Sequence, residues 1–159
     1  MDCTTRYDSP LGGITLASDG AALTGLWFDG QKYFAGTLAP EHEERALPVF
    51  DEAHRWLDIY FSGRDPGFIP PLVIRGSGFR KAVWDVLLTI PFGHTMTYGE
   101  ISRRLGCKSA QAVGGAVGHN SISLIIPCHR VIGSNGSLTG YAGGIERKIR
   151  LLMMEGITM

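Results

Sequence analysis

A cysteine, a histidine and an arginine stand side by side in the second half of the chain, within the stretch LIIPCHRVI at residues 124–132. A cysteine attacks as its thiolate, but a free thiol with a pKa of about 8.5 is mostly protonated at neutral pH. The neighbouring imidazole of His129 can take the proton of Cys128, directly or through one water. Because neighbours on an extended strand point to opposite sides, this requires the chain to turn after Pro127. The pattern therefore indicates either a nucleophile or an inert cysteine at the end of a buried strand.

A base at a buried site usually has an acid that orients it. The second half of the chain offers Asp85, Glu100, Glu146 and Glu155. We expect Glu100 to take part in a helix cap. Glu155 follows an apolar helix face at a helix C-terminus, which is the unfavourable end of the helix dipole for a carboxylate. We therefore predict that Glu155 orients His129.

Composition and cysteine spacing exclude several classes of protein. The chain has 159 residues, is 44% hydrophobic and 19% charged, and is typical of a globular protein with one domain or two small lobes. Three widely spaced cysteines, without C-x-x-C or H-E-x-x-H, argue against a disulfide framework, and we expect no metal and no cofactor. With no signal peptide and no apolar run of about 18 residues, we expect a cytoplasmic protein, nuclear in a eukaryote, without membrane association.

Charge is distributed unevenly between the two halves. Residues 1–74 contain five basic and eleven acidic residues, a net charge of −6, whereas residues 75–159 contain ten and four, a net charge of +6. This asymmetry suggests that the second half meets an anionic partner. The alternative, which charge alone leaves open, is that the two halves attract each other.

The first half reads as a small α/β lobe. Alternating runs at residues 4–7, 13–18 and 22–28, separated by turn residues, predict a β-meander, and the polar stretch 31–46 is predicted to be loop. An amphipathic helix follows and ends at Gly63. The next segment, rich in proline and glycine, reads as a connection with one short strand at residues 72–74. We place a domain boundary near residue 75, giving domains 1–74 and 75–159.

The second half is predicted to be mostly helical. After a helix that stops before Pro91, a second helix begins at its N-cap Thr97 and ends at Gly106. Ser109 can cap the next helix, which makes a helix-turn-helix pair. Residues 121–127 are predicted to be a strand. The last helix has an apolar face made of Ile145, Ile149, Leu152 and Met153.

The second helix of this pair consists mainly of alanine and glycine, and we call it the bare helix. Its small residues are Ala110, Ala112, Gly114, Gly115, Ala116 and Gly118. A glycine inside a helix costs about 1 kcal/mol relative to alanine, so something should approach this backbone closely. Two explanations remain at this point: close packing against another helix, or insertion into a narrow groove of nucleic acid.

Several motifs together resemble the O6-alkylguanine-DNA alkyltransferases, also called methylated-DNA–protein-cysteine methyltransferases. They are PCHRV at residues 127–131, GYAGG at 140–144, TYGEIS, AVGGAVGHN and LLMMEG. The match is clear from about Phe79 to Gly156 and weaker in the first half. The resemblance implies a mixed α/β fold with an N-terminal ribonuclease-H-like lobe and a C-terminal winged-helix-like lobe. It also implies DNA repair by a single irreversible transfer of an alkyl group, from O6 of guanine and also O4 of thymine, to Cys128.

The resemblance also implies roles for individual residues. His129 would be a base acting through water, oriented by Glu155, and Asn120 would organise the turn at the site. Tyr98 would lie over the guanine and protonate N3. The residues implied to hold the flipped base are the Val131 carbonyl and the backbone around Tyr141, Ala142 and Gly143.

The expected partner is duplex DNA, bound as a monomer through the minor groove with little sequence preference. That groove is only about 6 Å wide, which explains why a helix that enters it would carry only small side chains. The residues implied to contact DNA are Thr97, Ser109, Ala110, Gln111, Ala112, Gly114 and Gly115. Most relatives carry arginine where this chain has Gln111, so we hypothesise weaker base flipping or an altered substrate preference. No chemistry at the alkyl group requires Arg130, and we expect it to pair with an acid of the first half.

Two other classes of function stay open as alternatives. A non-catalytic DNA-damage binder of the alkyltransferase-like type would replace the cysteine, usually with tryptophan, whereas Cys128 is present. A Cys-His hydrolase would need an oxyanion hole and would not need a helix-turn-helix bared by glycine.

Overall fold

A computed structural model of the chain describes residues 1–138 and 140–158. The contacts divide these residues into two compact units. Unit 1 contains Met1–Arg75 together with Ser121–Ser123, and unit 2 contains Gly76–Asn120 and the chain from Leu124 onward. Within the described residues, we find no helix that combines the length and the apolarity needed to span a bilayer.

A four-stranded sheet forms the centre of unit 1. The predicted meander is confirmed as β1 (Asp2–Ser9), β2 (Gly12–Ser18) and β3 (Leu23–Phe28), which pair antiparallel in sequence. A further strand, β4 (His42–Glu44), pairs parallel with β1 and gives the order β3-β2-β1-β4. This strand lies inside the stretch predicted to be loop. All three of its residues are exposed, so they lack the alternation by which a strand is recognised.

The helix predicted for the first half is confirmed as α1 (Pro48–Phe61). It begins with a proline in its first turn, where the missing N–H costs no hydrogen bond. Its buried residues follow helical spacing: Val49, Phe50, Ala53, Trp56, Leu57 and Tyr60. Tyr7 of β1 donates a hydrogen bond to Asp58 at 2.6 Å and stacks on Phe61 with ring centroids 6.3 Å apart. These contacts pack α1 against β1.

The segment Ser121–Ser123 extends the sheet of unit 1 at β3. Leu26 makes two backbone hydrogen bonds with the ends of this segment, both 2.9 Å long, and Ile122 forms a parallel bridge with it. The strand predicted for residues 121–127 is wrong beyond this bridge. Leu124 has a φ of +71°, which interrupts the extended chain directly after the segment.

Three helices build the first part of unit 2: α2 (Gly78–Leu87), α3 (Tyr98–Leu105) and α4 (Ala110–Gly118). The predicted caps are confirmed, since Thr97 accepts a hydrogen bond from the Glu100 N–H and Ser109 accepts one from the Ala112 N–H, each at 3.1 Å. Gly106 ends α3 with a left-handed φ of +62°. The indole of Trp84 joins α2 to α4 by donating to the Ala116 carbonyl at 2.8 Å.

The last helix, α5 (Ile145–Met154), buries a face that shares only Leu152 with the predicted one. Ile145 and Met153 are 41% and 60% exposed, while Lys148, Leu151 and Leu152 are buried. The prediction was right for Leu152 and wrong for Ile145 and Met153, because it selected the most apolar face, whereas the observed interior includes a lysine. The buried stripe continues to Glu155 at the C-cap.

Candidate active site

The chain turns at the cysteine that opens the candidate site. Cys128–Arg130 form one turn of 3-10 helix directly after Pro127, whose carbonyl accepts the N–H of Arg130 at 3.0 Å. The expected turn after the proline is therefore confirmed. Cys128 is 4% exposed and His129 is 0% exposed. The thiol and the imidazole thus both lie inside unit 2, away from bulk water.

His129 and Glu155 form a buried pair. The His129 Nε2 and the Glu155 Oε2 are 2.6 Å apart, and both side chains are fully buried. The other carboxylate oxygen, Oε1, accepts hydrogen bonds from Arg130 Nε at 2.8 Å and from the Gly93 N–H at 2.9 Å. Three donors therefore compensate the loss of water around this carboxylate.

The ionisation states of the pair follow from these contacts. Burial alone raises the pKa of Glu155, but the hydrogen bond from His129 and the charge of Arg130 outweigh it and hold this pKa at about 2. Burial lowers the pKa of His129. A neutral imidazole beside an ionised carboxylate carries its proton on Nε2, which donates to Glu155, and keeps its lone pair on Nδ1. Nδ1 is therefore the nitrogen that can act as a base.

Arg130 does not pair in the predicted way. We expected an acid of the first half, but its Nε donates to Glu155 of its own unit. Its Nη1 donates to the Ile90 carbonyl at 2.8 Å, and its guanidinium carbon lies 5.8 Å from the centroid of the Phe92 ring. The prediction was wrong because it reserved Glu155 for the histidine, whereas a carboxylate has two oxygens and can serve both neighbours.

The surroundings of Cys128 act on its thiol in opposite directions. Burial raises the pKa of Cys128, while a hydrogen bond from Asn120 and the positive charge of Lys148 lower it. The net effect is a raised pKa, so the thiol is protonated at neutral pH. Asn120 also donates from Nδ2 to the Ile126 carbonyl at 2.7 Å. It therefore spans the loop that leads to the cysteine, and its role in organising the turn stays a prediction.

Two tyrosines lie within electrostatic reach of Cys128. Burial and the neighbouring Cys128 raise the pKa of Tyr98, at the start of α3, and of the buried Tyr141. The Tyr141 ring packs edge-on to His129, with centroids 6.4 Å apart. Within residues 1–138 and 140–158, the Tyr141 hydroxyl has no hydrogen-bond partner. Both tyrosines are therefore protonated and available as donors.

Two glycines of the GYAGG loop lie directly against these tyrosine side chains. A Cβ at Gly143 would lie 2.5 Å from Cε2 of Tyr141, and a Cβ at Gly140 would lie 3.2 Å from the Tyr98 hydroxyl. A side chain at either position would push a tyrosine away. Val131, which is also expected to hold the base, belongs to β6 (Val131–Ile132), and β6 pairs parallel with β5 (Met96–Thr97) directly before Tyr98. The expected base-holding residues and Tyr98 thus lie together.

Lys148 is a residue of this site that was not predicted from the sequence. Its side chain is 1% exposed, and its Nζ donates to the Val131 carbonyl at 2.5 Å. The signal that could have found it is its spacing from Glu155: residues 148, 151, 152 and 155 lie on one helix face. Its residue type gave no such signal, because charged side chains are rarely fully buried.

The bare face of α4 is open. A Cβ built at Gly114, Gly115 or Gly118 would meet no atom within 4 Å. Ala110, Gln111 and Ala112 are exposed. Of the two explanations for the missing side chains, close packing against another helix is therefore wrong at these glycines. Thr97 and Ser109 cap α3 and α4 and place the two helices of the pair.

The fold and the site define a two-unit α/β protein whose buried cysteine is flanked by a histidine–carboxylate pair. Residues 78–157 match the family model described as the DNA binding domain of 6-O-methylguanine DNA methyltransferase. Residues 3–73 match the model of its ribonuclease-like domain. The chain belongs to the 6-O-methylguanine DNA methyltransferase family.

Similar proteins agree with this assignment. The methylated-DNA–protein-cysteine methyltransferase of Mycobacterium bovis is 46% identical over 149 residues, which cover 93% of this chain and 88% of the relative. The protein of the same name from Haemophilus influenzae is 41% identical over 96% of this chain and 86% of its own. The crystal structure of Mycobacterium tuberculosis OGT in complex with DNA superimposes with a TM-score of 0.85 at 44% identity, covering 97% of this chain and 91% of that one. The expected mixed α/β fold is confirmed.

Proposed function

We propose that this protein repairs DNA by transferring an alkyl group, typically methyl, from O6 of guanine to the Sγ of Cys128. The observation that carries the proposal is the buried Cys128–His129–Glu155 arrangement in a member of this family. The thioether that forms has no route back to a thiol in this site, so each molecule reacts once and is spent. Because the substrate is DNA, we place the protein in the cytoplasm of a prokaryote or the nucleus of a eukaryote.

The proton of the thiol leaves first. His129 is neutral, and its Nδ1 accepts the Cys128 proton through one water. The imidazolium that forms is stabilised by the carboxylate of Glu155, as in a catalytic triad. The thiolate then attacks the alkyl carbon in line with O6. The C–S bond forms as the C–O6 bond breaks, and the electron pair remains on the guanine.

Guanine must gain one proton as it leaves. Tyr98 stays protonated because burial and the neighbouring Cys128 raise its pKa, and we assign it as the donor to N3. The proton on His129 returns to the Tyr98 oxygen after the base has gone. One proton leaves Cys128 and one reaches guanine, so the reaction balances without a cofactor.

The substrate base has to leave the duplex to reach the thiol. Cys128 is buried, and O6 lies within the base stack, so extrusion is required at a cost of a few kcal/mol. We assign the Val131 carbonyl and the backbone of Tyr141, Ala142 and Gly143 to the extruded guanine. Carbonyl and N–H groups distinguish the base edge without adding side chains to the pocket.

We assign α4 and its neighbours to the DNA surface. The open backbone at Gly114 and Gly115 suits a narrow minor groove, and we assign the exposed Gln111 on the same helix to the gap left by the base. Cations for the phosphates are exposed on the adjacent elements: Lys81, Arg103, Arg104 and Lys108. Contacts of this kind carry little sequence information, as a repair protein needs. We expect the protein to act on DNA as a monomer.

The direct test is a single incubation with a duplex oligonucleotide that contains one O6-methylguanine. We expect intact-mass and peptide analysis to show one added methyl group on the peptide that contains Cys128. Repair should stop when the protein is consumed. The Cys128→Ser variant should remain unmodified, whereas Cys107→Ser, the matched control at a partly exposed cysteine, should react like the wild type. A wild-type protein that leaves the methylated duplex unchanged, or that repairs more lesions than there are protein molecules, would overturn the proposal.

A further inference from the structure

Lys148 is a fully buried charged residue of unit 2 to which the proposed chemistry gives no role. It lies on the interior face of α5 between apolar neighbours and is 1% exposed. Removing an ammonium group from water is expensive unless it is paired or hydrogen-bonded. An apolar residue would fill this position at lower cost, so the lysine calls for a functional explanation.

The hydrogen bond of Lys148 places it at the end of the turn that carries the reacting thiol. Its Nζ donates to the Val131 carbonyl at 2.5 Å, three residues beyond Cys128. Burial lowers the pKa of Lys148, and the nearby Cys128 raises it; in return, Lys148 lowers the pKa of Cys128. The two groups therefore stabilise each other's charged forms.

We propose that Lys148 is a positioning residue for the alkyl transfer: its ammonium group fixes the Val131 carbonyl and supplies the positive charge that stabilises the Cys128 thiolate as it forms. The inference rests on the proposed function, because it assigns Lys148 to the same reacting sulfur. It adds a source of charge that the histidine–carboxylate pair does not supply.

The other groups around Cys128 show why this charge matters. Asn120 contributes a neutral hydrogen bond, and Tyr98 and Tyr141 carry neutral hydroxyls. Along the turn, His129 is neutral at rest, and the charge of Arg130 is paired with Glu155. Lys148 is the charged group among those that lower the pKa of the thiol. When the C–S bond forms, the sulfur becomes a neutral thioether, and Lys148 keeps its hydrogen bond to the Val131 carbonyl.

The test measures the Cys128 pKa without DNA, by ultraviolet absorbance of the thiolate during a pH titration with Cys128→Ser as the blank. We expect Lys148→Met, which keeps the length and removes the charge, to raise this pKa by about one unit or more. The methyl-transfer rate at neutral pH should then fall about tenfold, and its pH profile should move to higher pH. Lys148→Arg should restore most of the shift. Arg150→Met, on the exposed side of the same helix, is the matched control and should change neither quantity.

The outcomes separate this inference from the proposed function. An unchanged Cys128 pKa in a folded Lys148→Met variant would overturn the role of Lys148 while leaving methyl transfer by the wild type intact. A wild type that transfers no methyl group would overturn the function, whatever the titration shows.

If Lys148→Met fails to fold, the wild type decides the question by nitrogen NMR of the Lys148 Nζ. Methylation of Cys128 removes the thiolate, so we expect the pKa of Lys148 to be lower in the methylated protein than in the unmodified one. An equal pKa in both forms would overturn the inference.

Discussion

Two helices of unit 2, α4 and α5, place unusual residues in opposite ways. By composition α4 is apolar, yet it exposes Ala110, Ala112 and Gly115 around an open backbone. The helix α5 is rich in charge, yet its interior face carries Lys148 and ends at the buried Glu155. In α4 the glycines lower the stability of the helix, and in α5 the buried charges lose their hydration. Both helices accept a stability cost where we assign a function, which indicates that neither can be explained by packing alone.

The largest expected effect comes from neutralising the buried carboxylate next to α5. Glu155→Gln keeps the shape but places an amide against the donors of His129, Arg130 and Gly93. Breaking a buried ion pair by removing one partner costs about 3–5 kcal/mol, and we expect this loss in urea unfolding together with much slower methyl transfer.

The matched control for this change is Glu146→Gln, in the exposed first turn of α5. It should alter stability by no more than about 0.5 kcal/mol. Equal losses in the two variants would show that the interior of α5 does not depend on the charge of Glu155.

A second prediction concerns the stability of the protein at acidic pH, and it also depends on the buried Glu155 at the end of α5. The folded pKa of His129 is lowered from 6.5, and that of Glu155 is about 2 against an ordinary 4.5. Both folded values lie below the unfolded ones, so the unfolded chain binds more protons and stability falls as the pH falls. The loss begins near pH 6.5 through His129 and continues between pH 4.5 and 2 through Glu155. Each group contributes at most about 1.4 kcal/mol per pH unit.

Urea unfolding of wild type and His129→Gln at several pH values measures this dependence. The variant should lose the part of the slope that begins near pH 6.5 and keep the more acidic part. Parallel curves for the two proteins would contradict a buried neutral His129.

The α4 side of the comparison predicts that stability and binding change in opposite directions. Gly115→Ala adds a methyl group where no atom lies within 4 Å, so it should stabilise the fold by about 0.5–1 kcal/mol. The same methyl group should weaken binding to duplex DNA, measured by fluorescence anisotropy. Gly78→Ala, at another open helical glycine, should leave DNA affinity unchanged. Undiminished affinity in Gly115→Ala would show that the bare face is not needed for DNA.

The smallest expected effect on stability is that of Gln111→Arg, within about 0.5 kcal/mol because the residue is exposed. We expect faster single-turnover repair of duplex DNA, since arginine is longer and charged and fills the space of the extruded base better. A single-stranded oligonucleotide with the same lesion is the control, because no base has to be unpaired there. Equal or slower repair of the duplex would contradict a deficit caused by Gln111.

Local chemistry was enough to predict most elements. The meander, α1, the caps at Thr97 and Ser109 and the left-handed end at Gly106 all follow from neighbours within a few residues. The turn at Pro127 was predicted for the same reason. The short strand β4 was missed because its pairing with β1 is not written into its own three residues.

A contact between side chains distant in sequence was predicted only where one of the two residues was unusual for its position, as Glu155 is. The sequence by itself determined the family, the reacting cysteine and the proximity of Glu155 to His129, because an acid at a helix C-terminus requires an explanation. Only the tertiary structure decided that Arg130 shares that acid and that Lys148 lies inside against Val131. The physical reason is that the cost of burying a charge depends on the partners that surround it, and those partners come together only when the chain has folded.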